Sequence, residues 1–497
     1  MVKTLNLFKI ISIDIGTTYI KASMTIFDDK NFEFSIKEMI NSKHVIVSNE
    51  KVYEHIPAHV LGEAKRLAKH LVKNWGKPDV LIFSSYLFSL VFVGRNGEFY
   101  SNIITWLDRR SEEVLNYVKV HGVEIYRRTG CPPLPIYNLP KILYFLQRNP
   151  DIVKKSLLLD VKAMLMLHFT NEPITDLSSA SGSYQLLNIF KLKWDDFALE
   201  IANVDENQLP RIEEGDYILH LRSDVAREMG LSDDVSVVLG LYDGGSMIFG
   251  LTGGERSVGV INMGTSSMLR VTSEKPVIDM SNNMNLQTYY LYRGIWIPGL
   301  ALNNCGIVLE YIAKLINTNI EDVVENLYKI NIEEFIAKPT PVVIPLLYPE
   351  RHPRMSRDIG VWVLGLREGL NMNLFLASIA EGLVLLLKLI GDIIQGCGID
   401  YEKIVASGKI AQIPFIKMLL ASTFNKNVVF TKIPDAVHVG NSLLALTSLE
   451  KAVFRDHIYK ISSKFSADVV KPNSKLSDKL SKDYEIFKKV LEFILMM

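Results

Sequence analysis

The chain has 497 residues, 48% of them hydrophobic and 22% charged, and its 55 Lys and Arg balance 55 Asp and Glu to a formal net charge of zero. This composition can bury a large core, which excludes a disordered chain, and the charge balance argues against a protein that mainly coats nucleic acid or an anionic membrane. Three scattered cysteines without a CxxC pair argue against a disulfide framework or a cysteine-rich zinc site and favour a reducing cytoplasm.

The first predicted elements are two strands within residues 9–27, joined at the turn Gly16-Thr17-Thr18. The apolar start is too short to span a membrane and lacks the cleavage site of a signal peptide, so we expect a buried strand. Glycine allows a tight turn, in which successive N–H groups and threonine hydroxyls can bind phosphate oxygens. Asp14, at the end of the first strand, could hold Mg²⁺ through water. Taken alone, this turn is more simply interpreted as an ordinary hairpin.

Helical periodicity follows in residues 58–75, 111–121 and 139–148, and residues 80–93 predict a further strand region. Strands and helices mixed in this way indicate the α/β class. The chain has no Walker A motif, no GxGxxG after its first strand and no HExxH or zinc-spaced histidines. These absences argue against P-loop, dinucleotide-binding and zinc-protease chemistry.

The run VSVVLGLYD, residues 235–243, predicts a strand that ends at Asp243, with Gly244 and Gly245 opening the next helix. An acid at the mouth of a parallel strand, followed by glycines that leave room for a ligand, is well placed as a general base. A helix N-cap aspartate is the alternative, and this motif alone does not separate the two.

The run VGVINMGTSSMLRV, residues 258–271, repeats the strand–turn–strand pattern of the N-terminus. Gly264, Thr265 and Ser266 form its turn, and Asn262 stands where the first copy has its acid. One turn with donors and an acid, and another with donors only, suit a nucleoside triphosphate with a single metal site. We expect the turn to need its glycine, because unusual turn geometry excludes a β-branched side chain.

Three later segments complete the pattern. Residues 374–394 approach the length of a membrane span but contain three charged residues, so they predict a buried core helix. The run VASGK, residues 405–409, predicts a strand and a glycine turn, and IPFIKMLLAS, residues 413–422, predicts the helix that follows. A helix N-terminus near Gly408 could meet a nucleotide. At the C-terminus we predict a loop over residues 469–483 and then an amphipathic helix.

The weak internal repeat predicts two similar α/β halves that face a central cleft. We place the first domain at residues 1–249, the second at 250–455, and a C-terminal extension with its terminal helix at 456–497.

In chain order, the motifs SIDIGTTYIKA, FSSYLFSL, TWLDRRSEE, TDLSSASGS, GLYDGG, INMGTSS, IPLLYPERHPR, IAEGL and VASGKIAQIPF resemble the FGGY family of carbohydrate kinases, within the actin-like ATPase superfamily. The resemblance covers nearly the whole chain. It implies two ribonuclease H-like domains, the first for sugar and the second for nucleotide, with ATP and Mg²⁺ as cofactors. It also implies a small sugar, polyol or sugar acid as partner, no nucleic acid or membrane partner and a cytoplasmic location, and it leaves a homodimer open.

Site residues follow from the resemblance, residue by residue. The implied roles are Asp14 and Asp243 at the metal, Asp243 also as catalytic base and substrate contact, Gly16, Thr17 and Thr18 as one phosphate loop, Gly264, Thr265 and Ser266 as the other, Gly408 against the nucleotide, and Ser85, Trp106 and Asp108 near the sugar. The chain departs from the family at Ser407-Gly408 for Gly-Gly, Pro349-Glu350-Arg351 for Gly-Glu-Arg, and Gly440-Asn441-Ser442 for Gly-Ala-Ala.

The segment FSSYLFSL is similar to the gluconate kinase form, Phe-Ser-Ser-Ala-Met-His-Ser-Leu, and less like the Gln-Met-His-Gly of xylulose kinase. Phe88 replaces a polar imidazole, which can change specificity strongly. Gluconate is therefore the lead substrate, with xylulose or another pentulose, and glycerol, left open. Two other classes compete: an actin-like chaperone or filament ATPase, and a catalytically degenerate sugar-binding regulator. The GLYDGG base motif argues against the first, and the presence of both acids argues against the second.

Overall fold

The computed structural model describes residues 7–28, 30–31, 33–433, 435–449 and 465–497. By their contacts these residues form two units, the first with residues 7–254, 288–296 and 435–449, and the second with residues 255–287, 297–433 and 465–497. Each unit has a mixed sheet and helices, as the predicted α/β class requires. The division by contacts differs from the predicted ranges 1–249, 250–455 and 456–497, because two later segments return to the first unit and the C-terminal residues join the second.

Elements up to residue 252 build most of the first unit. Its strands are β1 (Leu7–Ile15), β2 (Tyr19–Asp28), β3 (Glu33–Lys43), β4 (Ile46–Ser48), β5 (Tyr53–His55), β6 (Val80–Ser85), β7 (Val91–Gly94), β8 (Ile103–Ile104), β9 (Ser156–Leu159), β10 (Ile174–Asp176), β11 (Leu187–Asn188), β12 (Lys193–Trp194), β13 (Arg211–Glu213), β14 (Ile218–His220) and β15 (Ser236–Val238). Its helices are α1 (Pro57–Trp75), α2 (Leu115–Val120), α3 (Gly122–Thr129), α4 (Asn138–Arg148), α5 (Pro150–Lys155), α6 (Val161–Thr170), α7 (Leu177–Ser183), α8 (Asp196–Ala202), α9 (Ser223–Met229) and α10 (Asp243–Thr252).

The rest of the chain supplies the remaining elements. The strands are β16 (Val258–Met263), β17 (Ser267–Val271), β18 (Gln287–Tyr292), β19 (Ile295–Leu302), β20 (Val342–Leu346), β21 (Gly360–Leu364), β22 (Lys403–Ser407), β23 (Val428–Thr431) and β24 (Ser466–Val470). The helices are α11 (Gly306–Leu315), α12 (Ile320–Tyr328), α13 (Ile332–Ala337), α14 (Met372–Gly396), α15 (Pro414–Phe424), α16 (Ala436–Leu449) and α17 (Ser474–Met496).

The main sheet of the first unit has the strand order β14-β15-β6-β1-β2-β3. Alternation along β1 sends its side chains to the two faces of this sheet. Ile11 and Ile13 pack in the core that contains residues of α1. Ser12 and Asp14 therefore face the other side, where Ser12 Oγ forms a hydrogen bond with His438 of α16. A polar strand face and a late helix thus meet beneath the end of β1.

The strands of the second unit follow one another in its sheet in the order β19-β17-β16-β22-β23-β24. Its central strands β16, β22 and β23 are parallel to their neighbours in that run, and β17 and β24 are antiparallel. Helix α14 is long and apolar enough to cross a membrane, but 83% of its most apolar window is buried inside this unit. Its leucines belong to the hydrophobic core, in agreement with the predicted core helix.

Three local predictions were wrong. The strand before Asp243 ends at Val238, because Gly240 turns the chain with φ 80° at a point where a Cβ would lie 1.8 Å from Phe83 O. A 3₁₀ turn follows Gly408 in place of the predicted helix N-terminus, whereas the helical stretch predicted over residues 413–422 is confirmed by α15, which begins at Pro414.

The third error concerns the C-terminus, where α17 begins inside the predicted loop. Asn473 caps this helix by accepting a hydrogen bond from Leu476 N at 3.0 Å. Its Lys- and Ser-rich first half hides an apolar stripe, in which Leu476, Leu480 and Tyr484 are buried. The preceding strand β24, which was not predicted, pairs with β23.

Candidate active site

Neighbouring strand ends in the first unit carry three of the predicted site residues. β1 and β6 pair in parallel and place Asp14 directly opposite Ser84. The next residue of β6, Ser85, forms a parallel bridge with Tyr242, which brings Asp243 to the same edge. Ligands bind outside the carboxyl ends of strands in open α/β sheets. The structure therefore brings Asp14, Ser85 and Asp243 together at one such edge.

The carboxylate of Asp14 is 4% exposed and accepts a hydrogen bond of 2.7 Å from Ser84 Oγ. Burial raises the pKa of this carboxyl group, and the charge of Lys21 opposes that shift. Asp435 fixes Lys21 through a hydrogen bond of 3.1 Å from its ammonium group. A carboxylate that is costly to keep charged is stabilised when a cation or a bound water reaches it.

Asp243 begins α10, and a buried lysine holds the chain that leads to it. Lys162 donates from Nζ to three main-chain carbonyl oxygens, those of Phe83, Leu239 and Leu241, at 2.7 to 3.1 Å. Its ammonium group lies 3.6 Å from the carboxylate of Asp176, and both side chains are fully buried. Gly244 N donates to Asp243 Oδ1 at 2.6 Å. Sequence reasoning missed Lys162, although a lysine within the apolar run KAMLML is a detectable signal.

The first predicted phosphate loop, Gly16-Thr17-Thr18, is the turn between β1 and β2. Gly16 N donates to Tyr19 O at 3.0 Å, so this N–H closes the turn. The N–H groups of Thr17 and Thr18 have no main-chain acceptor within the described residues. Trp106 Nε1 donates to Thr17 Oγ1 at 2.9 Å, which joins two predicted site residues. The turn can therefore offer two N–H groups and two hydroxyls to an anion.

Two histidines behind this turn were missed by sequence reasoning. The rings of His44 and His55 stack with their centroids 3.9 Å apart. His44 Nε2 donates to Gly16 O at 2.8 Å, and His55 Nδ1 bonds Tyr86 OH at 2.9 Å. Burial lowers the pKa of His44 to about 4 and that of His55 to about 3. Both rings are therefore neutral at pH 7 and support the turn from its inner side.

The predicted sugar-side residues have different environments. Ser85 is buried, and its Oγ forms no side-chain hydrogen bond within the described part of the chain. Trp106 contacts the first phosphate loop. Asp108 is held by protein donors: its carboxylate accepts from Tyr53 N at 3.1 Å and from the Arg110 guanidinium at 2.7 to 3.0 Å. The geometry thus leaves Ser85 available to a ligand and ties Asp108 into its own segment.

Phe88, which stands in place of a polar imidazole, is held in the left-handed region at φ 65°. Its N–H donates to Ser183 Oγ at 2.9 Å, and its carbonyl accepts from Lys141 Nζ. Its ring packs edge-on against Tyr137, with centroids 5.4 Å apart. Burial lowers the pKa of Lys141 to about 7, and the charge of Asp108 opposes the shift. Non-glycine residues at positive φ are strained, and they cluster at ligand sites.

In the second unit, Gly264-Thr265-Ser266 joins β16 to β17. Gly264 N donates to Ser266 O at 2.9 Å, and the first residue of α11, Gly306, donates from its N–H to Gly264 O at 2.9 Å. A Cβ at Gly306 would lie 2.6 Å from Gly264 O, whereas one at Gly264 would meet only Ser266 O at 3.9 Å. The expectation that this turn needs its own glycine is therefore wrong on backbone grounds. Gly306 is the glycine that the loop requires.

Gly408 lies beside the strand that leads into this second loop. β22 runs parallel to β16 and pairs Ser407 with Asn262. Ser407 Oγ donates to Asn262 Oδ1 at 3.1 Å. Gly408 has φ 94°, and a Cβ there would lie 2.3 Å from Met263 O. The structure thus brings Gly408 and the strand before Gly264 together within the second unit.

The acids of the first unit suit a loosely held magnesium ion. Among the described residues, no group of three or more His, Cys, Asp or Glu side chains could hold a metal by itself. Asp14 accepts a hydrogen bond on one carboxylate oxygen, and its other oxygen accepts none within the described chain. Mg²⁺ is usually bound through one or two carboxylates together with phosphates and water. Asp14 and Asp243 fit that pattern.

Comparisons with known proteins extend over nearly the whole chain. The model of the N-terminal domain of the FGGY family of carbohydrate kinases matches residues 9–250, and the model of the C-terminal domain matches residues 259–449. A gluconokinase of Bacillus licheniformis is 26% identical over 458 residues, which cover 89% of this chain and 88% of that protein. A xylulose kinase of Lactococcus lactis is 23% identical over 82% of this chain and 81% of its own length. A solved gluconate kinase from Lactobacillus acidophilus shares the fold, with a TM-score of 0.89 at 21% identity over 98% of each chain.

Proposed function

We propose that this chain, which belongs to the FGGY family of carbohydrate kinases, transfers the γ-phosphoryl group of Mg-ATP to a hydroxyl of a sugar acid, with gluconate as the lead acceptor. As a member of that family it is a sugar kinase, a phosphotransferase with an alcohol group as acceptor. The observation that carries the proposal is the shared strand edge of Asp14, Ser85 and Asp243 in the first unit.

In this proposal Asp243 is the general base. It accepts the proton of the attacking hydroxyl while the new O–P bond forms and the bond between the γ-phosphorus and its bridging oxygen breaks. Lys162 supports this role, since two of its hydrogen bonds hold main-chain carbonyls in the segment before Asp243 and the third joins that segment to β6. A general base must be held within hydrogen-bond reach of its proton, and a buried clamp provides such rigidity.

The phosphates would be bound by main-chain donors from both turns. Thr17 and Thr18 offer theirs in the first unit, and Thr265 and Ser266 are exposed on the turn of the second. Asp14 and Asp243 would hold Mg²⁺, which when bound neutralises the negative charge of the phosphates. Gly408 would let the nucleotide approach the main chain closely.

Gluconate is the lead acceptor because FSSYLFSL resembles the gluconate kinase form and a gluconokinase is among the relatives. Xylulose, another pentulose and glycerol are the alternatives, because the apolar Phe88 replaces a polar group on the sugar side. We also infer a cytoplasmic enzyme with a small-molecule partner, in keeping with three free cysteines. The alternative outside the enzymes is a regulator of the same fold that binds a sugar but has lost catalytic activity.

The test is an ADP-release screen of the purified protein with Mg-ATP and gluconate, xylulose, ribulose and glycerol, with Asp243→Asn as the matched control. We expect ADP release with one acceptor to exceed the acceptor-free rate, and we expect Asp243→Asn to lower that release by about 10²-fold or more, the scale of general base catalysis. A preference for xylulose or glycerol would replace gluconate and keep the kinase. Sugar binding without any ADP release would favour the degenerate regulator.

A further inference from the structure

Asn441 of α16 lies at the centre of a buried hydrogen-bond network in the first unit. Its side chain is fully buried. Its Nδ2 donates to Ser12 Oγ and to Ser84 Oγ, each at 2.9 Å, and its Oδ1 accepts from Ser246 Oγ at 2.6 Å. Both amide protons and one carbonyl lone pair are therefore used, so the orientation of the amide is fixed.

One arm of this network ends at Asp14. Because Ser84 Oγ accepts a hydrogen bond from Asn441, its own proton is directed to Asp14 Oδ1, 2.7 Å away. Ser12 Oγ likewise accepts from Asn441, and its proton is directed to His438 Nδ1 at 2.8 Å. Burial lowers the pKa of His438, which keeps the imidazole neutral and able to accept that proton.

The other arm ends on the helix that carries the proposed base. Ser246 lies one turn after Asp243 on α10. Helices α10 and α16 also touch through their main chains, since a Cβ at Gly440 would lie 1.8 Å from Ser246 O and one at Gly250 would lie 2.5 Å from Ala436 O. Such close approach leaves little freedom for the helices to slide. The Asn441 amide therefore connects Ser84, which contacts Asp14, with Ser246 on the helix that begins at Asp243.

We propose that Asn441 is a positioning residue for phosphoryl transfer: through Ser84 it fixes the Asp14 carboxylate, and through Ser246 it fixes α10 and with it Asp243. The proposal rests on the roles assigned to these two acids above. Asn441 stands where the family resemblance has alanine, and its partners lie more than 190 residues away in sequence. An alanine could make none of these three hydrogen bonds.

The test compares Asn441→Ala with Ser442→Ala. Ser442 is the adjacent buried residue of α16; its hydroxyl donates to His438 O at 2.8 Å and lies 3.0 Å from Thr25 Oγ1, without a bond to Asp14, Ser84 or α10. For Asn441→Ala we expect kcat to fall about 10- to 100-fold, because small misplacements of catalytic groups cost rates of this order. The Mg²⁺ concentration for half-maximal rate should rise, and the KM for the acceptor should change little. Ser442→Ala should match the parent in all three.

Equal kinetics and an equal Mg²⁺ requirement for the two variants would overturn the proposal, whatever their thermal stabilities. If Asn441→Ala does not fold, Ser84→Ala and Ser246→Ala carry the test, each removing one arm. Residues that act as a unit lose activity non-additively, so the double variant should be no worse than the worse single variant. Losses that multiply would contradict a shared support.

Failure of the kinase function itself would be visible separately: none of the acceptors would then raise ADP release by the parent protein above the acceptor-free rate. Binding of Mn²⁺ in the presence of ADP, followed by electron paramagnetic resonance, then tests Asp14 without turnover. Weaker Mn²⁺ binding in Asn441→Ala than in Ser442→Ala supports the positioning role. Equal binding in the two variants overturns it.

Discussion

Asp243 is the residue on which the proposed chemistry depends most directly. Asp243→Asn keeps the size of the side chain and an oxygen for the hydrogen bond from Gly244 N, but it removes the proton acceptor. We expect kcat to fall by about 10²-fold or more, the contribution of a general base, while the variant still binds ADP. Coupled ADP-release kinetics and calorimetric ADP binding measure the two effects. Asp196→Asn, at an exposed position of α8, controls for the lost charge, and near-normal turnover of Asp243→Asn would remove this residue from the mechanism.

Asp14 should act through the metal. Asp14→Asn can still accept the hydrogen bond of Ser84 but loses the charge that burial makes costly, as its raised pKa indicates. We expect a higher Mg²⁺ requirement in turnover, with the affinity for the acceptor little changed. Titration of the rate with Mg²⁺ at saturating ATP measures this. An unaltered Mg²⁺ curve would assign Asp14 a structural role only.

The residues that sequence reasoning located share one property: each lies at a strand end, in a turn or at the start of a helix whose local pattern is visible. Asp14, Thr17 and Asp243 are of this kind. Lys162 and Asn441 are not, because their hydrogen-bond partners lie far along the chain, 77 to 79 residues away for Lys162 and 195 to 429 for Asn441. The only local signal was a polar residue inside an apolar run, and such a pattern does not show which distant residue it contacts.

At the scale of elements, the predicted second phosphate loop, Gly264-Thr265-Ser266, depends on the helix packed behind it. Gly306→Ala would push a Cβ to within 2.6 Å of Gly264 O, whereas Gly264→Ala would meet nothing closer than 3.9 Å. We expect Gly306→Ala to raise the KM for ATP and to destabilise the second unit by about 1–3 kcal/mol, the usual range for overpacking. Gly264→Ala is the matched variant with intact loop geometry. The KM for ATP is measured for both variants. A larger increase in Gly264→Ala than in Gly306→Ala would contradict this expectation.

Elements with strong apolar periodicity, such as α1 and α14, were predictable from the sequence because burial decides them. The short strand β15 was overextended, since the apolar run continues past Gly240 while the chain already turns there. The start of α17 was missed because lysines and serines dominate the composition around its buried leucines. The return of α16 to the first unit has no local signal, since nothing in its sequence names the strands that it covers.

For the whole molecule, buried neutral histidines make stability depend on pH in both units. Burial lowers the pKa of His55 to about 3 and that of His352 to about 4, and their exposed fractions are 0% and 3%. In the unfolded chain a histidine titrates near 6.5. Between that value and the folded pKa the unfolded state binds more protons, so the free energy of unfolding falls as the pH falls. Each of the two histidines should lower the free energy of unfolding by about 2 kcal/mol at pH 5 relative to pH 7.

Thermal unfolding at pH 7 and pH 5 tests this expectation in the parent, His55→Gln, His352→Gln and the exposed control His220→Gln. The parent and His220→Gln should lose the same stability between the two pH values, because His220 is exposed and its replacement removes no buried ring. His55→Gln should lose less than the parent in the transition of the first unit, and His352→Gln less in that of the second. In each variant the loss in the free energy of unfolding from pH 7 to pH 5 should be smaller than in the parent by about 2 kcal/mol. If both variants kept the pH dependence of the parent, these histidines would be protonated in the folded chain, and the neutral His44–His55 stack behind the first phosphate loop would be the wrong description of that support.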